Sequence, residues 1–256
     1  MFDSYEDIFQ KRAWRYHQAM KLCPQARAKE FSLAIEYLDI KPNMTLYDIP
    51  SGGGYLKQFL SVDNVHYVFV ESSDNFASHC PNDQGCSTLL SCLTQLPLAP
   101  HSADRILSLA AIHHVENKQH FFEQCLGLLK PGGLLVVGDV DGGSNMARFL
   151  NEFVHQYNSM GHEGAFLTEG MEQSLESVGF NVVSNEYKPF TWEFSSVPEA
   201  LSFFRDLFGL DLASDEDILA GIEEYLGFGE GKSPVSIHWA LRYLCLRPAK
   251  QAQLNG

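Results

Sequence analysis

An acidic residue followed by a glycine-rich turn is the feature of this sequence best suited to chemistry. Asp48 follows the apolar run 44–47, and the turn after it contains Pro50, Gly52 and Gly54. Glycines let backbone N–H groups approach a ligand closely, because a Cβ atom would block the contact. An acid at a strand end, followed by such a turn, is how an α/β sheet receives a charged nucleoside cofactor. The spacing lacks the third glycine that a dinucleotide site requires.

A second carboxylate has the position that a ribose diol needs. Glu71 ends the β-branched and aromatic run 66–71, which lies 23 residues after Asp48. The carboxyl ends of parallel strands meet at one edge of a sheet, so we expect the two acids to lie near each other. A carboxylate accepts both hydroxyls of a ribose in a bidentate manner. Ser72 follows directly and begins the predicted next helix.

Two adjacent histidines follow the fourth predicted strand. Ser108 lies near the end of that strand, and His113 and His114 come a few residues later. This places the imidazoles at the edge of the sheet where α/β proteins bind ligands. Either imidazole is expected to orient a substrate or accept a proton. The alternative is that one of them caps or packs beneath the loop. The pair is not a metal site without further ligands.

Alternation of strands and helices over residues 44–140 predicts a doubly wound parallel sheet of the α/β class. The predicted strands are 44–49, 66–71, 89–90, 104–109, 134–140, 181–194 and 235–246. The predicted helices are 5–22, 25–38, 72–80, 117–129, 144–159, 168–178, 197–209 and 214–227. The segment from Pro248 onwards is predicted to be a disordered tail.

The acid-led turn resembles motif I of the class I S-adenosylmethionine-dependent methyltransferases. That family usually has three alternating glycines after the acid, and Pro50 replaces the first of them here. The resemblance implies a Rossmann-like, mostly parallel seven-stranded sheet with an antiparallel last strand and helical cap insertions. It implies S-adenosyl-L-methionine as cofactor, with Asp48, Gly52 and Gly54 at its ammonium end. It further implies that Glu71 binds the ribose hydroxyls and that the segment beginning at Ser108 approaches the methionine moiety.

The expected adenine site departs from the family pattern. Family members commonly have an acid just before a Leu-Pro turn, and here Cys92 aligns with that acid ahead of Leu96-Pro97. We therefore expect adenine to be recognised by backbone groups of Cys92 and Leu93, with packing by Ser72.

The flanking segments look most like those of the biotin-pathway malonyl-acyl-carrier-protein O-methyltransferases. The shared segments include 9–16, 165–175, 190–194 and 234–239, and none of them is a catalytic signature. The likeness implies residues 1–40 as an N-terminal helical cover and 41–247 as the cofactor-binding domain. Helical insertions are expected at about 143–165 and 197–227. Residues 248–256 are expected to form the tail.

The predicted cover supplies further candidate residues. Six of the 18 basic residues lie between positions 11 and 29. We expect Arg12 or Arg15 to bind the cofactor carboxylate or a substrate acid, and the helix to meet an acidic carrier protein. Tyr16 on the same helix is a candidate catalytic residue. Aromatic residues in the cover predict a largely apolar acceptor pocket.

Bulk properties narrow the class of protein. The net charge of −14 argues against nucleic acid as a partner, because phosphate contacts need clustered Lys and Arg. The six cysteines form no Cys-x-x-Cys pair, which favours reduced thiols, no metal site and a cytoplasmic location. There is no apolar run of membrane-spanning length, so no membrane partner is expected. A monomer or a homodimer is expected.

These observations favour a methyltransferase that acts on a small-molecule acceptor, with O-methyl transfer preferred. One alternative is a carboxyl O-methyltransferase of the malonyl-acyl-carrier-protein type. A second is a non-catalytic S-adenosylmethionine-binding regulatory or interaction protein, and a third is an enzyme that uses the cofactor for another reaction.

Overall fold

A seven-stranded sheet organises the chain. The computed structural model describes residues 5–93, 95–231 and 234–249, with only the backbone for 5–11. The strand order is β3-β2-β1-β4-β5-β7-β6. The strands are β1 (Thr45–Asp48), β2 (His66–Glu71), β3 (Cys86–Leu90), β4 (Ala103–Leu109), β5 (Leu129–Asp139), β6 (Phe180–Phe194) and β7 (Val235–Pro248). Strands β1 to β5 are parallel, and β7 runs antiparallel between β5 and β6. The predicted fold class is confirmed.

The central strands are buried because helices cover both faces of the sheet. Consecutive residues of β5 from Leu134 to Asp139 are all buried, as is expected for a strand whose two faces both pack. One apolar cluster lies on each face, and the side chains of Phe69 and Val70 point into different clusters. The alternation along a strand produces this division. The polar carboxyl ends of β1, β2, β4 and β5 therefore share one edge.

The helices follow the predicted order with adjusted bounds. They are α1 (Tyr5–Leu22), α2 (Ala28–Leu38), α3 (Asp74–Ala77), α4 (Lys118–Leu128), α5 (Asn145–Arg148), α6 (His155–Tyr157), α7 (Glu172–Val178), α8 (Val197–Phe208) and α9 (Asp215–Gly221). Two π-helical segments, Phe149–Val154 and Ile222–Leu226, extend α5 and α9. Side-chain caps start four of the helices: Asn117 for α4, Ser144 for α5, Ser196 for α8 and Ser214 for α9.

Two predicted helices are shorter in the structure than the sequence pattern suggests. The helix predicted at 168–178 begins only at Glu172, because Gly170 has a φ of +86° and breaks the helical path. The helix predicted at 72–80 is reduced to α3, which ends at Ala77. The glycine turn itself leads into one short 3₁₀ segment, Tyr55–Phe59.

The N-terminal helices pack where the cover was predicted. Helix α1 packs against α8, and α2 packs against β4, β5 and β6. At the other end, Pro248 belongs to β7 and the Ala249 N–H donates to the carbonyl of Gly179 at 2.8 Å. These two residues are therefore part of the sheet edge and not of a tail, which corrects the predicted boundary. Residues 250–256 lie outside the described residues, and the division into cover, domain and tail stays a prediction.

Within the described ranges, the structure contains no helix that is both long and apolar enough to cross a membrane.

Candidate functional site

The carboxylate of Asp48 lies buried at the end of β1. Only 3% of the residue is exposed, and its Oδ2 atom accepts a hydrogen bond from the Tyr67 hydroxyl at 2.7 Å. Burial raises the pKa of Asp48 to about 7, and nearby Glu71 adds to the rise while the Tyr67 hydrogen bond opposes it. A buried acid held in this way gains from a cationic ligand that compensates its charge.

The glycine turn has the conformation that only glycine adopts easily. Gly52, Gly53 and Gly54 all have positive φ angles, of 59°, 88° and 74°. A Cβ atom on Gly54 would lie 2.7 Å from Pro81 Cδ and 3.0 Å from Phe69 Cε1. At Gly52 the only atom near such a Cβ is the Tyr16 hydroxyl oxygen at 3.7 Å. The turn thus packs tightly at Gly54 and leaves room for a ligand beside Gly52.

Glu71 is bound to the glycine turn. Its Oε1 atom accepts hydrogen bonds from the Ser51 hydroxyl at 2.8 Å and from the Gly53 N–H at 3.1 Å. The residue is fully buried at the end of β2. These bonds fix the carboxylate beside the end of β1, which is the arrangement the sequence predicts.

Two buried hydroxyls nearby have no partner among the described residues. The Oγ atoms of Ser72 and Ser108 are both buried without a hydrogen bond. A buried hydroxyl in this state costs free energy, and a polar ligand would remove the cost. Both serines were predicted as cofactor residues, and they follow or end the two strands that flank β1.

A cavity of about 470 Å³ lies beside Asp48 and the start of the glycine turn. Pro50, which the Ile49–Pro50 cis peptide precedes, lines it together with Asp48 and Gly52. The remaining lining residues are Tyr16, Arg27, Phe31, Ser51, Tyr55, Leu56, Phe76, Leu109, Ala110 and Ala111. We call this space the cofactor cavity. A buried acid and a glycine cradle in its wall fit a polar, cationic nucleoside, whereas Glu71, Ser72 and Ser108 are not part of the lining.

The predicted adenine residues lie outside that lining. Cys92 is exposed, and its carbonyl already accepts from the Gln95 N–H at 3.1 Å, whereas Leu93 is buried. The structure therefore does not bring Cys92 and Leu93 into the cofactor cavity with Asp48, and their role in adenine recognition stays a prediction.

A second cavity, of about 840 Å³, adjoins the first. Its lining is mainly apolar and includes Leu150, Val154, Trp192, Phe208 and Trp239. We call it the acceptor cavity. Because Tyr16, Arg27 and Ala110 line both spaces, the two cavities meet at these three residues.

A histidine held by an aspartate lies on the wall of the acceptor cavity. The Nδ1 atom of His113 is 2.7 Å from Oδ1 of Asp139, and the His113 backbone N–H donates to Oδ2 at 3.0 Å. Asp139 ends β5 and is completely buried. Since the carboxylate accepts the Nδ1 proton, Nε2 carries the lone pair. The ring can therefore accept a proton at Nε2.

Two further histidines adjoin His113. The ring centroid of His114 is 4.1 Å away and that of His162 is 5.6 Å away. Burial lowers the pKa of His162 to about 3, with the neighbouring His113 and His155 adding to the effect. Burial also lowers the pKa of His114 far below its usual value. Both imidazoles are therefore neutral at physiological pH.

Tyr16 stands between the cavities as part of a buried ion-pair cluster. Its hydroxyl accepts a hydrogen bond from Arg27, whose guanidinium also pairs with Glu30. Trp192 Nε1 donates to the same carboxylate at 3.0 Å. Burial raises the pKa of Tyr16 above 10 although Arg27 acts in the opposite direction. Tyr16 is thus a neutral phenol at physiological pH, suited to hydrogen bonding and not to accepting a proton.

Arg12 was predicted to bind the cofactor carboxylate or a substrate acid, and the structure places it at a cavity wall. Its guanidinium donates to Asn158 Oδ1 and packs on Gly209, and it lines the acceptor cavity and not the cofactor cavity. The guanidinium of Arg15 lies 5.3 Å from the ring centre of Trp14. Arg27, at the N-cap of α2, lines both cavities, and the ligand-binding roles of Arg12 and Arg15 stay predictions.

Several residues of the site were not predicted, although some carried a signal. Asp139 ends an apolar strand, as Asp48 and Glu71 do, and that shared position could have identified it. Ala110 has a φ of +51°, which the sequence does not reveal. His162 and Glu30 reach their partners only through tertiary contacts, and no local pattern points to them.

Comparisons with known proteins agree with the geometry. A methyltransferase-domain family matches residues 47–137, which contain both carboxylates, the glycine turn and the paired histidines. A ubiquinone biosynthesis O-methyltransferase of Rhizobium etli is 25% identical over 166 residues, which cover 57% of this chain and 67% of the relative. Two similarly named relatives, from Agrobacterium fabrum and Rhizobium johnstonii, are 24% identical, and the matches span 60% and 66% of their lengths.

Solved structures share the fold at low identity. A Bacillus halodurans C-125 protein assigned to the methyltransferases has a TM-score of 0.63 at 16% identity, with 86% of this chain and 99% of that chain covered. The [4+2]-cyclase SpnF has a TM-score of 0.58 at 16% identity, with 88% and 82% covered. These similarities concern the fold alone. Residues 47–137 therefore match a methyltransferase domain, and the chain as a whole shares its fold with solved proteins assigned to the methyltransferases.

Proposed function

We propose that this chain transfers the methyl group of S-adenosyl-L-methionine to a hydroxyl oxygen of a small, largely apolar acceptor, with a phenol as the favoured class. The observation that carries the proposal is the His113–Asp139 pair, on the wall of an apolar cavity that adjoins the cofactor cavity. The named relatives are O-methyltransferases, which supports transfer to oxygen.

The predicted cofactor residues have distinct roles in the proposal. Asp48 compensates the ammonium of the methionine moiety, and Glu71 accepts from the ribose hydroxyls. Ser72 and Ser108 supply hydroxyls that lack partners in the described chain. When bound, the cofactor supplies an electrophilic methyl group on a sulfonium. The side chains of the protein orient the acceptor and remove its proton.

His113 is the proposed proton acceptor. A phenol is a poor nucleophile until it loses its proton, and a positioned imidazole contributes about 10²- to 10⁴-fold to such a transfer. Asp139 keeps Nδ1 protonated and stabilises the imidazolium that forms. His114 remains neutral and packs against the ring of His113, so its proposed role is to shape the site.

Tyr16 and Arg27 are proposed to separate the two ligands without blocking the methyl group. Both residues line both cavities, and the Tyr16 phenol keeps its proton because burial raises its pKa. The wall of the acceptor cavity contains Trp192 and Trp239, whose rings stack with centroids 4.4 Å apart. An aromatic acceptor would pack against such a wall.

The malonyl-acyl-carrier-protein type remains an alternative within the class. A carboxylate acceptor needs a cation in the acceptor cavity. The two arginines there are engaged, because Arg27 pairs with Glu30 and Arg12 donates to Asn158. These pairings favour a neutral hydroxyl over an acid.

Methyl transfer can be followed by mass spectrometry. The protein is incubated with methyl-deuterated S-adenosylmethionine and separate acceptors, namely alkyl-substituted phenols and catechols, and a malonyl thioester on an acyl carrier protein. The expected result is a deuterated methyl group on a phenolic oxygen, which is lost in His113→Ala. Methylation of the malonyl carboxylate alone would favour the alternative. Binding of the cofactor without transfer to any acceptor would favour the regulatory protein.

A further inference from the structure

Three histidines from two separate segments converge on the acceptor cavity. His113 and His114 lie after β4, and His162 lies on the loop after α6. One ring nitrogen of each lies within 4.8 Å of those of the other two. All three residues line the acceptor cavity. Among the described residues, no other group of three histidine, cysteine or acidic side chains comes this close together.

The hydrogen bonds of two of these histidines determine which ring nitrogen carries the proton and which carries the lone pair that can bind an ion. His113 uses Nδ1 toward Asp139. His162 uses Nδ1 toward Asn151 Oδ1, at 3.0 Å. That oxygen also accepts the Gly164 N–H at 2.7 Å, while the Asn151 amide nitrogen donates to the Gly164 carbonyl at 3.0 Å. The Asn151 oxygen therefore acts only as acceptor toward His162, and Nδ1 of that ring carries the proton.

Both rings consequently carry their lone pair on Nε2. Histidine ligands of metal ions show this pattern, because their other ring nitrogen donates to a carboxylate, an amide or a carbonyl that holds the ring. Three imidazoles with a fourth position open to a cavity form a ligand set that zinc uses in catalytic sites. We propose that His113, His114 and His162 form a binding site for a divalent ion of the first transition series, with Zn²⁺ as the favoured ion.

A modest movement completes the site. Zinc bonds of 2.0–2.1 Å in tetrahedral geometry place nitrogen ligands about 3.4 Å apart. The separations, of at most 4.8 Å, must therefore shrink by roughly 1.4 Å at most. His162 can supply this shift, because its segment is irregular and contains Gly161 with a φ of +71°. The other two residues are held more firmly, in a short 3₁₀ turn at Ile112–His114.

The ion site and the proton acceptor use the same atom. An ion bound to Nε2 of His113 leaves that nitrogen without a lone pair. The zinc-loaded protein therefore lacks the base of the proposed function, and ion binding and proton acceptance exclude each other. The site itself does not depend on methyl transfer, since ion binding is measurable without cofactor or acceptor.

The test is calorimetric titration of ZnCl₂ into the chelator-treated full chain, repeated with Co²⁺ to record the visible absorption of a tetrahedral nitrogen site. We expect one saturable site per chain and the tetrahedral cobalt spectrum. His162→Ala should weaken Zn²⁺ binding at least about 10-fold, and Asp139→Asn about 10- to 100-fold through the ring it orients. His120→Ala, on α4 and only partly buried, is the matched control and should bind as the wild type does.

Circular dichroism establishes that each variant is folded. His162→Gln replaces His162→Ala if the latter unfolds, since glutamine fills similar space without the imidazole. Absence of saturable Zn²⁺ binding to the wild type would overturn the proposal. Equal affinity in the wild type and a folded His162 variant would also overturn it, because binding would then lie elsewhere in the chain.

Discussion

His113 donates to both carboxylate oxygens of Asp139, through Nδ1 at 2.7 Å and through its backbone N–H at 3.0 Å. The two bonds fix both the ring and the turn that carries it. Asp139 also accepts the Val140 N–H at 2.7 Å, so its own orientation is fixed by the end of β5. A strand end thus positions the group that we propose removes the acceptor proton.

Replacing Asp139 by asparagine should disable catalysis more than cofactor binding. The amide no longer stabilises an imidazolium and can leave His113 in the wrong tautomer, so kcat should fall by about 10²- to 10⁴-fold. The measurement is kcat with a phenolic acceptor beside the affinity for S-adenosylmethionine by titration calorimetry. Glu116→Gln changes an exposed acid near the same turn and should leave both values unchanged. An Asp139→Asn protein with wild-type kcat would contradict the role given to the pair.

Asp48 should make cofactor binding depend on pH. Its pKa of about 7 in the free protein means that the carboxylate is half protonated at neutral pH. The affinity for the cationic ligand should fall as the pH drops below 7 and level off above it. Calorimetric titrations from pH 5.5 to 8.5 measure this. Asp48→Asn should bind weakly at every pH, and a parallel pH slope in that variant would assign the effect to another group.

The same residue should lower the stability of the free protein at high pH. Its folded pKa of about 7 exceeds the unfolded value of 3.8, so the folded state retains the proton longer and stability falls as pH rises between these values. Asp48→Asn should therefore raise the free energy of unfolding by roughly 2 to 4 kcal/mol at pH 8 and by little at pH 4. Urea unfolding at the two pH values tests the difference. An equal change in the free energy of unfolding at pH 4 and pH 8 would contradict the raised pKa of Asp48.

A methyl group at Gly54 should damage the glycine turn. Both the φ of +74° and the 2.7 Å approach to Pro81 oppose a Cβ atom there. Gly54→Ala should lower the free energy of unfolding by roughly 2 kcal/mol or more, and it should weaken cofactor binding. A Cβ atom at Gly127, an exposed position of α4, meets no atom within 4 Å, so Gly127→Ala should stabilise the protein by up to about 1 kcal/mol. Thermal melts compare the two variants. Equal effects of Gly54→Ala and Gly127→Ala would contradict the claim that close packing at Gly54 opposes a Cβ atom.

Glu30 should be needed to keep Arg27 buried. Burial lowers the pKa of Arg27, but Glu30 and Tyr16 more than compensate, and the pKa is raised overall. Glu30→Ala leaves the guanidinium buried without this carboxylate and should cost about 3 to 5 kcal/mol of unfolding free energy. Glu36→Ala, exposed on the same helix, is the control. If Arg27→Met in the Glu30→Leu background does not recover stability, the loss does not come from an uncompensated charge.

The features of the fold that depend on local sequence patterns could be predicted from the sequence. The runs that end at Asp48 and Glu71 predict two parallel strands, and the structure places both acids at the same sheet edge. Gly170 shows where prediction fails at an element boundary, because a positive φ overrides the apolar spacing of the helix around it. The histidine pair alone predicts no metal site, because the third histidine comes from a distant segment.

The remaining features of the site depend on contacts between distant segments. Trp192 meets Glu30 across 162 positions of the chain, and Asn158 meets Arg12 across 146. Such pairs arise only after β6 and α8 pack on the N-terminal helices. For the same reason, the convergence of His162 on His113 could not be read from periodicity. The cofactor half of the site is local and predictable, whereas the acceptor half is built by tertiary packing.

The most direct test of this account is calorimetric titration of S-adenosylmethionine, and of its demethylated product, into the full chain. We predict one saturable site for each ligand. Glu71→Gln should weaken binding by roughly 10- to 100-fold, because a charged acceptor of the ribose hydroxyls is lost. Glu116→Gln should bind as the wild type does. No heat of binding to the wild type from either ligand would contradict the account.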